Sequence, residues 1–216
     1  MSQYFHIHPE NPQKRLIMQA ATIIREGGVI AYPTDSAYAL GCCIDNKAVV
    51  ERIRAIRQLD EKHNFTLVCR NLSEVSTYAH LDNNAYKLLK AHTPGPYTFI
   101  LPATKEVPKR ILPHKRKTIG VRLPDHLIVQ TLLEQLAAPL MSVTLIMPGQ
   151  DVPLIEPEAM RELLGKKVDL IIDGGYCGIE TTTVIDLEDS QHPQLIRVGK
   201  GDASLFVTED SQRRDS

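Results

Sequence analysis

Towards its end the chain runs through three strand-like segments in succession, 168–173, 182–187 and 194–198, with no helical stretch between them. This succession constrains the fold more than any other feature. Parallel neighbours need a helix-length crossover, so three strands in a row argue against pure βαβ alternation. Upstream, helices and strands mix. Residues 12–25 set Leu16, Ala20, Ile23 and Ile24 on one helical stripe, and Gly27-Gly28 stops it. Further helices are predicted at 47–57, 83–92, 126–136 and 157–164, the last with proline in its first turn. Apolar runs at 29–32, 65–69, 97–101, 118–123 and 140–145 read as strands. The pattern predicts a single α+β domain over 1–207, an open, twisted mixed sheet flanked by helices. The polar segment 208–216 reads as a disordered tail.

A chain of 216 residues with 43% hydrophobic residues can bury a core without disulfides or a structural metal. The four cysteines, Cys42, Cys43, Cys69 and Cys177, have no zinc-ligand spacing, and reduced thiols packed in apolar surroundings are expected. His6, His8 and His114 likewise lack metal-ligand spacing, so no metal site is predicted. The opening MSQYFHIHPENPQKR has no apolar core like that of a signal peptide, and no apolar run approaches the length of a membrane span. A cytoplasmic protein with no membrane association is the expectation.

Charge averages out, with 25 Lys and Arg against 26 Asp and Glu, but its distribution is uneven. From Lys105 through Lys109, Arg110, Lys115, Arg116 and Lys117 to Arg122 the chain carries one acid, Glu106. On charge alone this is a solvated face. Lys115, Arg116 and Lys117, on a proline-bounded loop, are candidate RNA phosphate contacts. The common nucleotide and hydrolase signatures GxxxxGK[ST], GxGxxG, HExxH and GxSxG are absent. Any phosphate site must be built another way.

The run PTDSAYALG at 33–41 follows a predicted strand and is rich in hydroxyls; read by itself it is a capped strand-to-helix turn. It also resembles the PTDTxYGLG signature of the YrdC/YciO family. Five more segments follow in that family's order: TPGPYTFIL at 93–101, GVRLP at 120–124, SVT at 142–144, TTTVID at 181–186 and LIRVG at 195–199. The chain is therefore similar to the YrdC/YciO family over nearly its whole length. The resemblance implies an open twisted sheet with a basic concave face. It also implies chemistry of the threonylcarbamoyl-adenylate synthase type, in which L-threonine, bicarbonate and ATP give the mixed anhydride and pyrophosphate for a tRNA modification.

By motif position the resemblance assigns Thr34, Arg122 and Thr182 to threonine or the transferred group. Arg57, Ser142 and Arg197 fall to the nucleotide phosphates, with Tyr38 and Thr144 as further binding candidates. ATP as substrate would bring Mg²⁺, and no acidic cluster names ligands for it. Two departures stand out. The synthases carry a KxR pair and then NPL, where this chain has Arg57-Gln58-Leu59-Asp60 and later Asn64-Phe65. Their SAN is Ser142-Val143-Thr144 here, which removes an amide. Both departures fit the YciO branch. An ATP-dependent enzyme and a non-catalytic tRNA or double-stranded RNA binder on the same surface both remain open, with hydrolysis on the retained scaffold a distant third. So do plainer roles: Arg57 as a solvated helix end, Arg122 in an ion pair, and Thr181, Thr182 or Thr183 as ordinary strand formers.

Overall fold

The computed structural model describes residues 2–60, 63–112 and 117–206. Ten strands form one sheet in the order β1-β8-β2-β3-β7-β4-β6-β5-β9-β10. They are β1 (Gln3–His6), β2 (Ile30–Tyr32), β3 (Ala39–Cys42), β4 (Thr66–Val68), β5 (Tyr97–Pro102), β6 (Thr118–Arg122), β7 (Leu140–Thr144), β8 (Leu170–Asp173), β9 (Thr183–Asp186) and β10 (Gln194–Arg197). The helices are α1 (Lys14–Arg25), α2 (Lys47–Arg57), α3 (Leu72–Tyr78), α4 (Asn83–His92), α5 (Leu127–Leu136) and α6 (Pro157–Leu164). The sheet is mixed, as the three closing strands demand: β8 pairs parallel with β1 and β2, β9 pairs parallel with β5, and β10 returns antiparallel on β9.

Helix starts follow from local chemistry. Asn46, Asn71 and Asp82 each accept a backbone N–H of the first turn of α2, α3 and α4, satisfying donors the helix cannot. α2 ends with Gln58 in the left-handed region.

Two apolar clusters sandwich the sheet. The larger takes Val49, Val50, Ile53 and Ile56 of α2, Ala85 and Leu89 of α4, and Met160 and Leu164 of α6. On the other face, Ile17, Ala20, Ala21 and Ile24 of α1 pack with Ile128, Val129, Leu132, Leu133 and Leu136 of α5. Beneath this pair lie Ile30, Tyr32, Ala39, Leu140, Leu170 and Ile172, alternate residues of β2, β3, β7 and β8. The helix pair covers only that half of its face. Beyond that cluster, which reaches Val68 at the end of β4, the same face of β4, β5, β6 and β9 lines a cavity, and there the site lies.

The 33–38 segment does not lead into a helix: it joins β2 to β3 as an antiparallel hairpin. β1, β3 and α3 are elements that the sequence pattern left as loop. Lys115, Arg116, His114 and the 208–216 segment lie outside the described residues.

Candidate functional site

Alternate residues of the bare half-face line one cavity of about 430 Å³, within the range of small-molecule sites. Thr66 of β4, Thr98 and Ile100 of β5, Gly120 and Arg122 of β6, Ser142 and Thr144 of β7, and Val184 of β9 all point into it. These are positions separated by two along each strand, the pleat's own period. Arg57 comes from the end of α2, Thr182 from just before β9, and Ile196 and Arg197 from β10. Of the site residues expected from sequence, Arg57, Arg122, Ser142, Thr144, Thr182 and Arg197 are thus brought together. Among the described residues, the lining contains three arginines and no carboxylate.

Gly120 makes the floor flat. A Cβ there would stand 3.0 Å from Thr66 Oγ1 and 3.3 Å from Thr98 Cγ2. Thr98 and Thr182 share a hydroxyl hydrogen bond of 2.8 Å across β5 and the start of β9. Ser142 is held from behind by the Tyr32 hydroxyl at 2.7 Å. Burial pushes that phenol up to about 12, so it stays protonated. Tyr32 reaches Ser142 by lying over Gly41, where a Cβ would meet its ring at 2.8 Å.

Arg122 is buried, and its ion pair is real. Its Nη2 donates to Asp35, to Thr34 Oγ1 at 3.1 Å and to Ser36 Oγ at 2.8 Å. Asp35 also accepts the Asp125 backbone N–H at 2.9 Å. Arg122 Nε is buried without a hydrogen-bond partner, an open donor on a side chain that lines the cavity. Thr34 therefore sits behind Arg122. Its hydroxyl donates to the Ala37 carbonyl at 2.6 Å and accepts the Ser36 and Ala37 amides, which shapes the hairpin loop.

Arg197 is partly solvent-exposed, and its Nε and Nη2 donate to the Thr182 carbonyl at 3.2 and 3.0 Å. Burial, and then the like charge of Arg122, pulls its guanidinium below the usual value. Burial does the same to Arg57, whose Nε has no hydrogen-bond partner. Cations kept in such surroundings are less well hydrated and gain more from an arriving anion.

The remaining expected residues lie elsewhere. Tyr38 packs into the larger core, donating to the Gly175 carbonyl at 2.7 Å and accepting the Gly174 amide at 3.2 Å. It braces the turn after β8. Lys117 is exposed and outside the cavity lining. Leu59 packs against the larger core and does not line the cavity. Thr183 is buried, donating to the Gly201 carbonyl at 2.6 Å, so one member of the threonine triplet is structural.

Sequence reasoning missed His63, which lines the cavity, and Asp35, which holds Arg122. It also missed the apolar wall of Phe65, Ile100, Ile146, Val184 and Ile196. Only the strand alternation carried a signal for the wall. Among the described residues, no three His, Cys, Asp or Glu side chains are placed to hold a metal ion, and no helix is long and apolar enough to cross a membrane. A larger depression of about 690 Å³ follows the outer face of α1, but Lys14, Arg15, Gln19 and Glu26 mix charges there with no converging set.

Residues 22–199 match the Sua5/YciO/YrdC family model, described as telomere recombination. YciO of Escherichia coli (strain K12) is 57% identical over 207 residues, covering 96% of this chain and all of that one. Its crystal structure superposes with a TM-score of 0.92. The threonylcarbamoyl-AMP synthase of Coxiella burnetii (strain RSA 493) is 32% identical over 159 residues, 73% of this chain and 84% of that protein. The crystal structure of P. abyssi Sua5 complexed with L-threonine is similar at 28% identity and a TM-score of 0.84. The match covers 92% of this chain and 58% of that one.

Proposed function

The chain belongs to the Sua5/YciO/YrdC family, and we propose on that footing that its cavity binds L-threonine and MgATP and forms threonylcarbamoyl-AMP. The single observation behind this reading is the cavity's charge: Arg57, Arg122 and Arg197 converge, with no carboxylate among the described lining residues. Such a site suits a polyanion of small-molecule size.

The chemistry needs little covalent help. The threonine carbamate oxygen attacks the α-phosphorus, the bond from that phosphorus to the bridging oxygen breaks, and pyrophosphate leaves with the charge. Fixed donors that meet the developing charge lower the barrier without reorganising. In this reading Arg57 and Arg197 take the phosphates, while the open Nε of Arg122 takes the threonine carboxylate. Ser142, Thr144 and Thr182 supply hydroxyl donors, and the apolar wall of Phe65, Ile146 and Ile196 receives the nucleoside. The divalent cation is part of the substrate. The L-threonine complex of P. abyssi Sua5 supports the amino-acid partner.

The test is pyrophosphate release from MgATP by the purified protein, with L-threonine and bicarbonate supplied together or singly. Release that needs both is expected. Release with neither, or none at all, removes the synthase reading. The alternative, a tRNA or double-stranded RNA binder that does no chemistry, draws less support, because its contacts would have to reach the buried Arg122 as well as the exposed Arg197. It predicts RNA affinity falling steeply and linearly on a log–log salt plot.

A further inference from the structure

Forming the carbamate leaves one proton over. The threonine nitrogen arrives as an ammonium; an N–H bond must break before its electron pair can form the N–C bond to bicarbonate. As hydroxide leaves that carbon it takes a second ammonium proton and departs as water. Carbamate and water then account for every atom except the first proton, which needs an acceptor.

The cavity offers few. Among the described residues, its polar lining consists of arginines, threonines, a serine, Asn64 and His63. Arginine stays protonated, and hydroxyls and amides do not accept protons near neutrality. Asp35, the carboxylate behind Arg122, is bound by Arg122 and the Asp125 amide. Of these described side chains, the imidazole has the right chemistry. We propose that His63 is the proton acceptor for carbamate formation, a role that rests on the synthase reading of the cavity.

His63 is held for it. Its ring meets Phe65, just before β4, edge-on at 5.6 Å, and its backbone N–H bonds the Asp60 carbonyl at 3.3 Å. Arg54 and Arg57 face it from α2, Asp60 from the preceding turn, and Arg122 and Arg197 stand on the other walls of the cavity. Burial, then Arg57 and Arg54, hold its pKa below the ordinary histidine value against the smaller opposing pull of Asp60. The ring is therefore neutral at pH 7 and ready to take a proton.

The experiment compares the protein with His63→Gln, which cannot accept a proton, by pyrophosphate release in L-threonine, bicarbonate and MgATP. The expected loss is on the order of a hundredfold at pH 7. It should shrink to about threefold or less near pH 9.5, where the substrate amine sheds its proton unaided. The same loss at both pH values would mean that His63 only shapes the cavity, and no loss at pH 7 would mean that the proton goes elsewhere; either overturns the assignment while leaving the synthase reading intact. No release by the unaltered protein at either pH removes both. Thermal melting and MgATP binding confirm that the variant is folded, and His63→Asn serves under the same pair of pH values if it is not.

Discussion

One face of the sheet is two surfaces. Over β2, β3 and β8 it is covered by α1 and α5 and lined with Ile30, Tyr32, Ala39, Leu170 and Ile172. Over β5, β6, β9 and the Thr66 end of β4 it faces the cavity and is lined with Thr66, Thr98, Gly120, Arg122 and Val184, while Val68 of β4 lies in the covered cluster. β7 crosses the border within five residues, with Leu140 beneath the helices and Ser142 and Thr144 in the open. The backbone ladder is continuous across both halves. What changes is the partner each side chain awaits. An apolar residue gains about 25 cal/mol per Å² when a helix covers it. A hydroxyl or guanidinium gains little from a helix and much from an anion.

If the halves differ in this way, substitutions should separate stability from binding. Leu132→Ala, beneath the covered half, should cost about 2–5 kcal/mol in denaturant unfolding; a cost near zero would break the comparison. Arg197→Ala, at the rim of the bare half, should weaken MgATP or pyrophosphate binding by roughly tenfold to a hundredfold in calorimetry. Its unfolding midpoint should hardly move. Leu59→Arg sharpens the border from the opposite side. Because Leu59 packs against the core, the variant should lose about 1–3 kcal/mol of stability and gain no nucleotide affinity. A gain in turnover would place that side chain in the cavity.

Acid should reveal the ring beside the cavity. Burial lowers the pKa of His63 and of His126 in the folded chain, so unfolding releases them to bind protons more readily. Their contribution is complete above the ordinary histidine pKa of about 6.5 and is lost as pH falls through their lower folded values. Melting temperature should drop on acidification over that window, and less steeply in His63→Gln. The smallest effect is expected of Thr144→Asn, which faces the cavity. It should change nucleotide affinity only a few-fold, with stability within about 0.5 kcal/mol.

Much of this was legible in the sequence. The predicted helices 47–57, 83–92 and 157–164 coincide with α2, α4 and α6, since amphipathic periodicity states directly which face is buried. β1 was not legible: two of its four residues are exposed, and what makes it a strand is parallel pairing with β8 far along the chain. α3 has seven residues and rests on the Asn71 cap more than on any stripe. In the site, the positions of Arg57, Arg122, Ser142, Thr182 and Arg197 came through motif likeness. The motifs did not say that Thr34 works behind Arg122, or that Tyr38 turns to the other face. His63 escaped because a single histidine between Lys62 and Asn64 has no pattern of its own.

The β1–β8 ladder sets a schedule for the growing chain. Tyr4 and Asp173, joined through the tyrosine hydroxyl, lie 169 positions apart, and β2 needs the same strand, Ile30 beside Leu170. At about 5–20 residues per second, the ribosome delivers that partner roughly ten to thirty seconds after β1. Until then the free flank of β2 is an unpaired apolar edge, the kind of surface that nascent chains shield or aggregate through. Of the strands that line the cavity, β4 to β7 are made before β8 and β9 and β10 after it, so the helix-covered half has its full set of strands before the ligand-facing half does.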